Sequence, residues 1–143
     1  MQKEEQLTYT FKYAALTGRI IKCAMAVHSA LGNGFQEVIY QRAMGIEMRL
    51  DEIHFEREKE MPIHYKGRRI GTRRVDFLVE GIIAVEFKAT TKFDNYHINQ
   101  AMNYLEAYNL EVGLLINFGE RSLNFRRLTN KKHKPTASQS SHH

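Results

Sequence analysis

The sequence has almost no cysteine and no long apolar run, and each absence narrows the class of protein. Its one cysteine, Cys23, excludes a disulfide framework and fits a reducing compartment, so we expect a cytoplasmic protein. Cys23 occupies an apolar helical position, and we expect it to be a small residue of the protein core. No apolar stretch approaches the ~20 residues that cross a bilayer, and residues 1–6 are polar. We therefore expect neither a membrane span nor a signal peptide.

Several catalytic signatures are also missing. The chain has no glycine-rich phosphate loop, no zinc-ligand spacing and no motif of a nucleophilic serine. His28 and His64 do not have the spacing of metal ligands, so we interpret both as structural. What remains is an ordinary globular composition, 43% hydrophobic and 26% charged, with a formal net charge of +5. A moderately basic surface suits a polyanionic partner such as nucleic acid, although many basic proteins bind none.

The first third of the chain predicts two helices. Thr17 is a plausible N-cap for the first helix, which Gly32 and Gly34 end near residue 31. The second helix covers about residues 35–51. Its main apolar stripe consists of Ile39, Ala43, Ile46 and Leu50. Met44 and Met48 lie on its other side, so the helix could be buried on two sides.

The remainder predicts three strands, a helix and two more strands. The strands cover about residues 54–65, 70–79 and 82–88, the helix 93–109, and the last strands 112–118 and 122–128. Pro62 favours an edge position or a bend for the first strand. The unbroken apolar run of 112–118 favours an interior position for the fourth strand. The prediction is an α/β domain with a mixed sheet flanked by helices, in the order ααβββαββ. We expect an N-terminal extension over 1–15, the domain over 16–128 and a disordered polar tail over 129–143.

The second and third strands form a hairpin around Gly81, and its hydrophobic pattern sets the register. The two rows of alternate apolar residues are Val75, Phe77 and Val79 on one strand and Ile83, Val85 and Phe87 on the other. If both rows face the core, Phe77 lies opposite Val85. Asp76 then lies opposite Glu86, and Lys88 lies on the face of Glu86.

Two carboxylates opposite each other on a covered face repel, so a cation is needed between them. Either Lys88 and nearby arginines neutralise the pair, or Asp76 and Glu86 bind a divalent metal with the Phe87 carbonyl as a further ligand. Magnesium fits such a set because it takes a few carboxylates and keeps several waters, and manganese is an alternative. Lys88 could then orient a water for phosphodiester hydrolysis.

Three further groups are candidates for the same site. Gln100 and Tyr104 lie on one stripe of the third helix, between His97 and Tyr108, where they could bind a phosphate or Lys88 or simply mark the solvent boundary. Glu37 could add a carboxylate to the metal, although a glutamate in the first turn of a helix is stabilised by the helix dipole alone. Arg73 and Arg74 could bind phosphates or form a solvated strand edge.

Several blocks in this order resemble the GxxExxY protein family. Gly34, Glu37 and Tyr40 match its named positions, residues 75–79 and 85–89 resemble its hairpin blocks, and residues 97–105 and 113–119 resemble its later blocks. The resemblance covers about residues 16–128. It implies a PD-(D/E)XK nuclease-like fold, with Asp76, Glu86 and Lys88 on the catalytic positions. Gln100 and Tyr104 also resemble the Q-x-x-x-Y element of recombination-type exonucleases in that superfamily, and Val75 stands where the superfamily name has proline.

The leading hypothesis is thus a Mg²⁺-dependent nuclease acting on nucleic acid, with DNA favoured over RNA. Asp76 and Glu86 would bind the metal, with Glu37 and the Phe87 carbonyl as further ligands. Lys88, Gln100 and Tyr104 would complete the catalytic set. The alternatives are a non-catalytic nucleic-acid-binding or accessory module that keeps the fold, and an oligomerising interaction protein with a silent cleft. The sequence leaves the oligomeric state open.

Overall fold

The computed structural model describes residues 2–135, with side chains from residue 13 onward. The elements are α1 (Gln2–Leu31), α2 (Glu37–Leu50), β1 (Phe55–Tyr65), β2 (Arg68–Val79), β3 (Ile83–Lys88), α3 (Asn95–Ala107), β4 (Val112–Asn117) and β5 (Asn124–Thr129). This order confirms the predicted ααβββαββ arrangement. Within the described residues, no helix combines the length and apolarity needed to cross a membrane.

The strands form one mixed five-stranded sheet in the order β1-β2-β3-β4-β5. β1 pairs with β2 and β2 with β3 in antiparallel fashion. β1 is an edge strand, as Pro62 predicted, because proline cannot donate a hydrogen bond to a second neighbour. β4 lies between β3 and β5 and all six of its residues are buried, which confirms the interior position predicted from its apolar run.

The chain divides into two compact units, and the first contains α1 and α2 together with residues 87–93 and 116–126. Tyr40 organises its core. The Tyr40 ring stacks on Phe118 with the ring centroids 4.6 Å apart and the planes 9° apart. Its hydroxyl donates to the carbonyl of Gly32 at 2.6 Å and accepts from the amide of Phe35 at 3.2 Å. One side chain therefore fixes both the turn after α1 and the rotation of α2.

That rotation overturns the predicted core stripe of α2. Ile39, Ile46 and Leu50 are 36%, 59% and 76% exposed, so the expectation that they face the core is wrong. The buried residues of this helix are Tyr40, Gln41, Met44, Gly45 and Met48. The helix carries two apolar stripes, and the anchoring of Tyr40 selects the methionine stripe.

The start of α1 also differs from the prediction. Thr17 lies inside the helix, where its hydroxyl donates to the carbonyl of Tyr13 at 3.0 Å, so its assignment as an N-cap is wrong. The helix continues through the boundary predicted at residue 15.

The second unit contains the β1–β2 hairpin, the first part of β3, α3 and residues 127–135. Its core cluster is formed by Val75, Ala84, Leu105 and Leu128, and the half-buried side chains of α3 and Met61 pack against it. Gly113 lets α3 approach β4 closely, because a Cβ there would lie 3.0 Å from Leu105 Cδ2.

The segment after β5 corrects the predicted tail. Thr129 belongs to β5, and the buried Asn130 donates from Nδ2 to the carbonyls of Leu105 at 3.1 Å and Leu110 at 2.9 Å. The amide of Lys134 donates to Asn109 Oδ1 at 2.9 Å. The prediction of disorder from residue 129 is therefore wrong for residues 129–134. Asparagine hydrogen bonds hold this segment, and its polar composition gives no sign of them. Residues 136–143, with the terminal His142 and His143, lie outside the described residues.

Gly119→Ala tests the tightest backbone approach in the first unit. A Cβ at Gly119 would lie 2.3 Å from the carbonyl oxygen of Thr90, where backbone rather than a mobile side chain must shift. We expect the free energy of unfolding to fall by about 1–3 kcal/mol in chemical denaturation. Gly18→Ala is the matched control: nothing lies within 4 Å of its Cβ, so removing a helical glycine should raise the free energy of unfolding by about 0.5–1 kcal/mol. Equal effects of the two substitutions would contradict the packing argument.

Cys23 should react with thiol reagents only when the first unit opens. The thiol is buried, and burial raises its pKa, with the carboxylates of Asp51 and Glu47 raising it further. At pH 8 we expect much slower reaction with a disulfide reagent in the native protein than in denaturant. Moving the thiol to the half-exposed position 25, by Cys23→Ala with Met25→Cys, should restore fast reaction. Fast native labelling of Cys23 itself would contradict this prediction.

Candidate functional site

The central hairpin has the register that its hydrophobic pattern predicted. Phe77 pairs with Val85, Leu78 with Ala84 and Val79 with Ile83. Asp76 and Glu86 are the next positions on the two strands, directly beyond the Phe77–Val85 pair. Glu86 is buried, at 8% exposure, whereas Asp76 is half-buried. The hairpin therefore brings two carboxylate-bearing positions together at the point where the β2–β3 pairing ends.

Arg73 supplies positive charge next to this pair. Its terminal Nη2 lies 4.0 Å from Glu86 Oε1, which is the outer limit of an ion pair. Its guanidinium carbon lies 3.7 Å from the centroid of the Tyr104 ring, within the range of a cation–π contact. Its Nε is buried and has no hydrogen-bond partner among the described residues. Arg73 is thus held by the aromatic ring more closely than by the carboxylate.

Two tyrosines lie near Arg73, Tyr104 on α3 and Tyr108 at the C-cap of that helix. The rings of Tyr104 and Tyr108 stack with centroids 6.1 Å apart. Burial raises the pKa of both phenols; Arg73 opposes that rise and Glu86 adds to it. Both therefore remain protonated at neutral pH and can donate hydrogen bonds. The Tyr108 hydroxyl is buried and has no partner among residues 13–135.

Gln100 and Arg74 are engaged elsewhere in this structure. Gln100 donates from Nε2 to the hydroxyl of Tyr96 at 3.4 Å, one turn earlier on α3. Arg74 is exposed, and its Nε lies 3.4 Å from Glu60 Oε1 across the β1–β2 pair. Both contacts are exposed to solvent, where such pairs contribute little to stability. Each side chain is therefore free to exchange its partner for a ligand.

The remaining predicted residues belong to the first unit. Phe87 is buried and its ring lies 6.0 Å from that of Phe118. Lys88 is half-buried at the end of β3, two positions after Glu86, and its carbonyl accepts from the amide of Phe118 at 2.8 Å. Glu37 is exposed at the first position of α2, where the helix dipole stabilises a carboxylate.

Asn117 anchors the chain that follows Lys88. Its Oδ1 accepts from the amides of Thr90 and Gly119 at 3.0 and 3.1 Å. Its Nδ2 donates to the Thr90 carbonyl at 2.9 Å and to Glu120 Oε2 at 2.8 Å. The side chain is fully buried, so these bonds replace water and fix the backbone after β3.

Sequence reasoning missed two of these features. It left Tyr108 at the end of a polar stripe and gave no role to Asn117. A polar residue ending an otherwise apolar run, such as Asn117 after residues 112–116, was the available signal, because a buried amide there needs specific partners. No local signal pointed to the stacking of Arg73 on Tyr104, since those residues lie on different elements.

The residues present fit a hard divalent cation. Asp76 and Glu86 offer carboxylate oxygens, and the carbonyl of Phe87 is adjacent in sequence, a donor set of the kind that Mg²⁺ accepts while keeping waters. No three histidine, cysteine, aspartate or glutamate side chains among the described residues are grouped so as to hold a metal by themselves. Main-chain oxygen and water would have to complete the coordination.

Comparison with known proteins defines the class. A model of the PD-(D/E)XK nuclease superfamily matches residues 14–128, so the chain belongs to that superfamily. Nucleases of this superfamily generally use divalent metals. No curated protein matches the chain. A solved structure described as the crystal structure of SSO0001 is similar in fold, with a TM-score of 0.52 and 15% sequence identity. The match covers 85% of this chain and 62% of the chain of SSO0001.

Tyr104→Ala and Tyr104→Phe separate the ring of Tyr104 from its hydroxyl. Alanine removes the surface on which Arg73 stacks, and we expect it to lower the free energy of unfolding by about 1–2 kcal/mol. Phenylalanine keeps the stack and should change it by less than about 0.5 kcal/mol. Chemical denaturation checks both values. A larger loss from phenylalanine than from alanine would show that the hydroxyl, and not the ring, holds Arg73.

Proposed function

We propose that this protein is a metal-dependent nuclease that hydrolyses phosphodiester bonds of nucleic acid, with DNA favoured over RNA. The observation that carries the proposal is the position of Asp76 and the buried Glu86 directly beyond the Phe77–Val85 pair, where the β2–β3 pairing ends. Membership of the PD-(D/E)XK nuclease superfamily supports it. The single cysteine favours a reducing compartment, and we therefore place the activity in the cytoplasm.

Each residue has a role that its chemistry allows. Asp76 and Glu86, with the Phe87 carbonyl, would hold Mg²⁺ or Mn²⁺, and Glu37 would add a further carboxylate. A bound divalent metal lowers the pKa of water and stabilises negative charge on phosphate oxygens. Lys88 would orient the attacking water by donating a hydrogen bond to it.

The aromatic and basic groups would handle the phosphate. Tyr104, protonated at neutral pH, would donate to a phosphate oxygen, and Gln100 would join it after leaving Tyr96. Arg73 and Arg74 would neutralise phosphates of the bound strand. Because Arg73 lies 4.0 Å from Glu86, replacing this contact with a contact to a phosphate would cost little free energy.

One observation favours a second candidate, a non-catalytic nucleic-acid-binding module. Arg73 already places a positive charge near Glu86, so the carboxylate does not require a metal for electrostatic compensation. Such a module would keep its nucleic-acid affinity after loss of Glu86 and would show no turnover. Metal affinity and cleavage therefore distinguish the two functions.

Cleavage of labelled single- and double-stranded DNA and RNA in Mg²⁺, Mn²⁺ or EDTA tests the nuclease. We expect metal-dependent cleavage that falls by roughly 10²-fold or more in Glu86→Ala and in Lys88→Ala, since each removes a group acting on the reacting atoms. The matched controls are Glu106→Ala and Lys92→Ala, which remove exposed side chains of the same charge. Cleavage that survives both site substitutions, or that is absent from the wild type in every metal, would overturn the proposal.

Metal binding gives a readout that is independent of turnover. Titration of Mn²⁺ by calorimetry should show a site in the wild type and at least tenfold weaker binding in Asp76→Asn, which keeps the size of the side chain and removes its charge. Glu106→Ala should bind as the wild type does. Equal Mn²⁺ affinity of the wild type and Asp76→Asn would show that Asp76 is not a ligand of the metal.

A further inference from the structure

The β1–β2 hairpin extends beyond the rest of the sheet. β2 pairs with β3 only at Phe77, Leu78 and Val79 among the described residues, whereas its pairing with β1 continues to Arg68. We name residues 61–74 the arm. Five residues from 61 to the turn give it a length of about 17 Å. Its base packs on the core cluster through Met61, and every residue from 64 to 72 is exposed.

The arm is strongly basic. It contains five basic residues, Lys66, Arg68, Arg69, Arg73 and Arg74, and no aspartate or glutamate. Three of these residues, Lys66, Arg68 and Arg69, lie in the stretch from 64 to 72, where every residue is exposed. The arm therefore presents a cluster of positive charge to solvent on a projecting two-stranded ribbon.

The tip of the arm presents apolar groups between these charges. Tyr65 is 61% exposed and Ile70 is 67% exposed. The register shifts between Ile63, which pairs with Gly71, and His64, which pairs with Arg69, so Ile70 has no residue opposite it. Such a bulge increases the local twist and re-aims a side chain. Exposed apolar side chains at a projecting tip add nothing to the core, which points to contact with a ligand.

The turn at the tip keeps the ribbon regular. Lys66 and Gly67 both have positive φ, at 49° and 75°, which suits a two-residue turn matched to the twist of paired strands. The arm is therefore a preformed element that binding would not have to order.

We propose that the arm inserts into the major groove of double-stranded DNA. A two-stranded ribbon fits that groove, which is about 12 Å wide, while its basic side chains reach the phosphates on either side. Ile70 can then contact apolar edges of the bases. Duplex RNA is disfavoured because its major groove is deep and narrow, and single strands are disfavoured because they need several aromatic stacking surfaces where the arm has only Tyr65.

The base of the arm links this surface to the candidate site. Arg73 and Arg74 lie at the end of the arm, three and two residues before Asp76, and Arg73 also contacts Glu86 and Tyr104. DNA held along the arm would thus lead towards the carboxylates of the second unit. This inference rests on the proposed function and adds to it the duplex form of the substrate.

The test is fluorescence anisotropy with a labelled 20-base-pair DNA duplex, one of its single strands, and an RNA duplex of the same sequence. All proteins carry Glu86→Ala so that the proposed hydrolysis is blocked in Mg²⁺. The arm variant is Lys66→Asn/Arg68→Gln/Arg69→Gln, in which asparagine preserves the turn. We expect tightest binding to duplex DNA, at least about tenfold loss in the arm variant, and a salt slope of log Kd smaller by roughly 3.

Two further proteins make the test specific. Lys22→Gln/Arg42→Gln/Arg49→Gln removes three exposed charges from α1 and α2 and should leave duplex affinity within about twofold of its parent, because those charges lie outside the arm. Ile70→Ser keeps every charge, so it should weaken duplex binding severalfold without changing the salt slope. Equal loss from both triple variants, or binding to single-stranded DNA or duplex RNA as tight as to duplex DNA, would overturn the arm proposal.

The arm and the nuclease can fail separately. Duplex binding that depends on the arm, together with no cleavage by wild-type protein in any metal, supports the arm and overturns the nuclease. Metal-dependent cleavage together with unchanged duplex binding by the arm variant overturns the arm and leaves the nuclease intact.

Discussion

Burial of the Glu86 carboxylate is the constraint on which the second unit depends. A carboxylate taken out of water on a central strand needs positive charge nearby. Arg73 provides this charge from the neighbouring strand. Its guanidinium carbon lies 3.7 Å from the centroid of the Tyr104 ring on α3, in a cation–π contact. One buried charge therefore dictates the partner on β2 and the aromatic residue on α3. The Tyr104 ring holds Arg73 in position. The contact between Arg73 and Glu86, at 4.0 Å, is loose enough for Arg73 to exchange it for a contact with a ligand.

Two buried asparagines hold the backbone in place through side-chain hydrogen bonds. Asn117 binds the main chain after β3 on both its donor and acceptor sides, and Asn130 binds two carbonyls at the end of α3. A buried amide left without these partners would be strongly destabilising, so each works only in one arrangement of the chain. The position of the chain that follows Lys88 is set by the hydrogen bonds of Asn117 as well as by hydrophobic packing.

The carboxylates of the candidate site and the basic residues of the arm occupy different parts of the β1–β2–β3 region. The acidic groups of the candidate site lie where the β2–β3 pairing ends, and the basic arm ends two residues before Asp76 on β2. A continuous strand thus passes from a surface suited to phosphates to a pair of carboxylates suited to a metal. Because the arm is preformed by strand pairing, it can present its charges without the loss of conformational entropy that a flexible basic tail would suffer on binding.

The sequence by itself determined the order of the elements, the edge and interior strands and the register of the central hairpin. These follow from local rules, since alternation on two short strands allows one register in which both apolar rows are buried. Only the tertiary structure decided which stripe of α2 is buried, because two stripes competed and the contacts of Tyr40 with Phe118 and Gly32 chose between them. It also decided that Arg73 stacks on Tyr104 and that Asn130 holds residues beyond β5. Those contacts join residues far apart in the chain, and no local pattern encodes which distant partner satisfies a buried charge or amide.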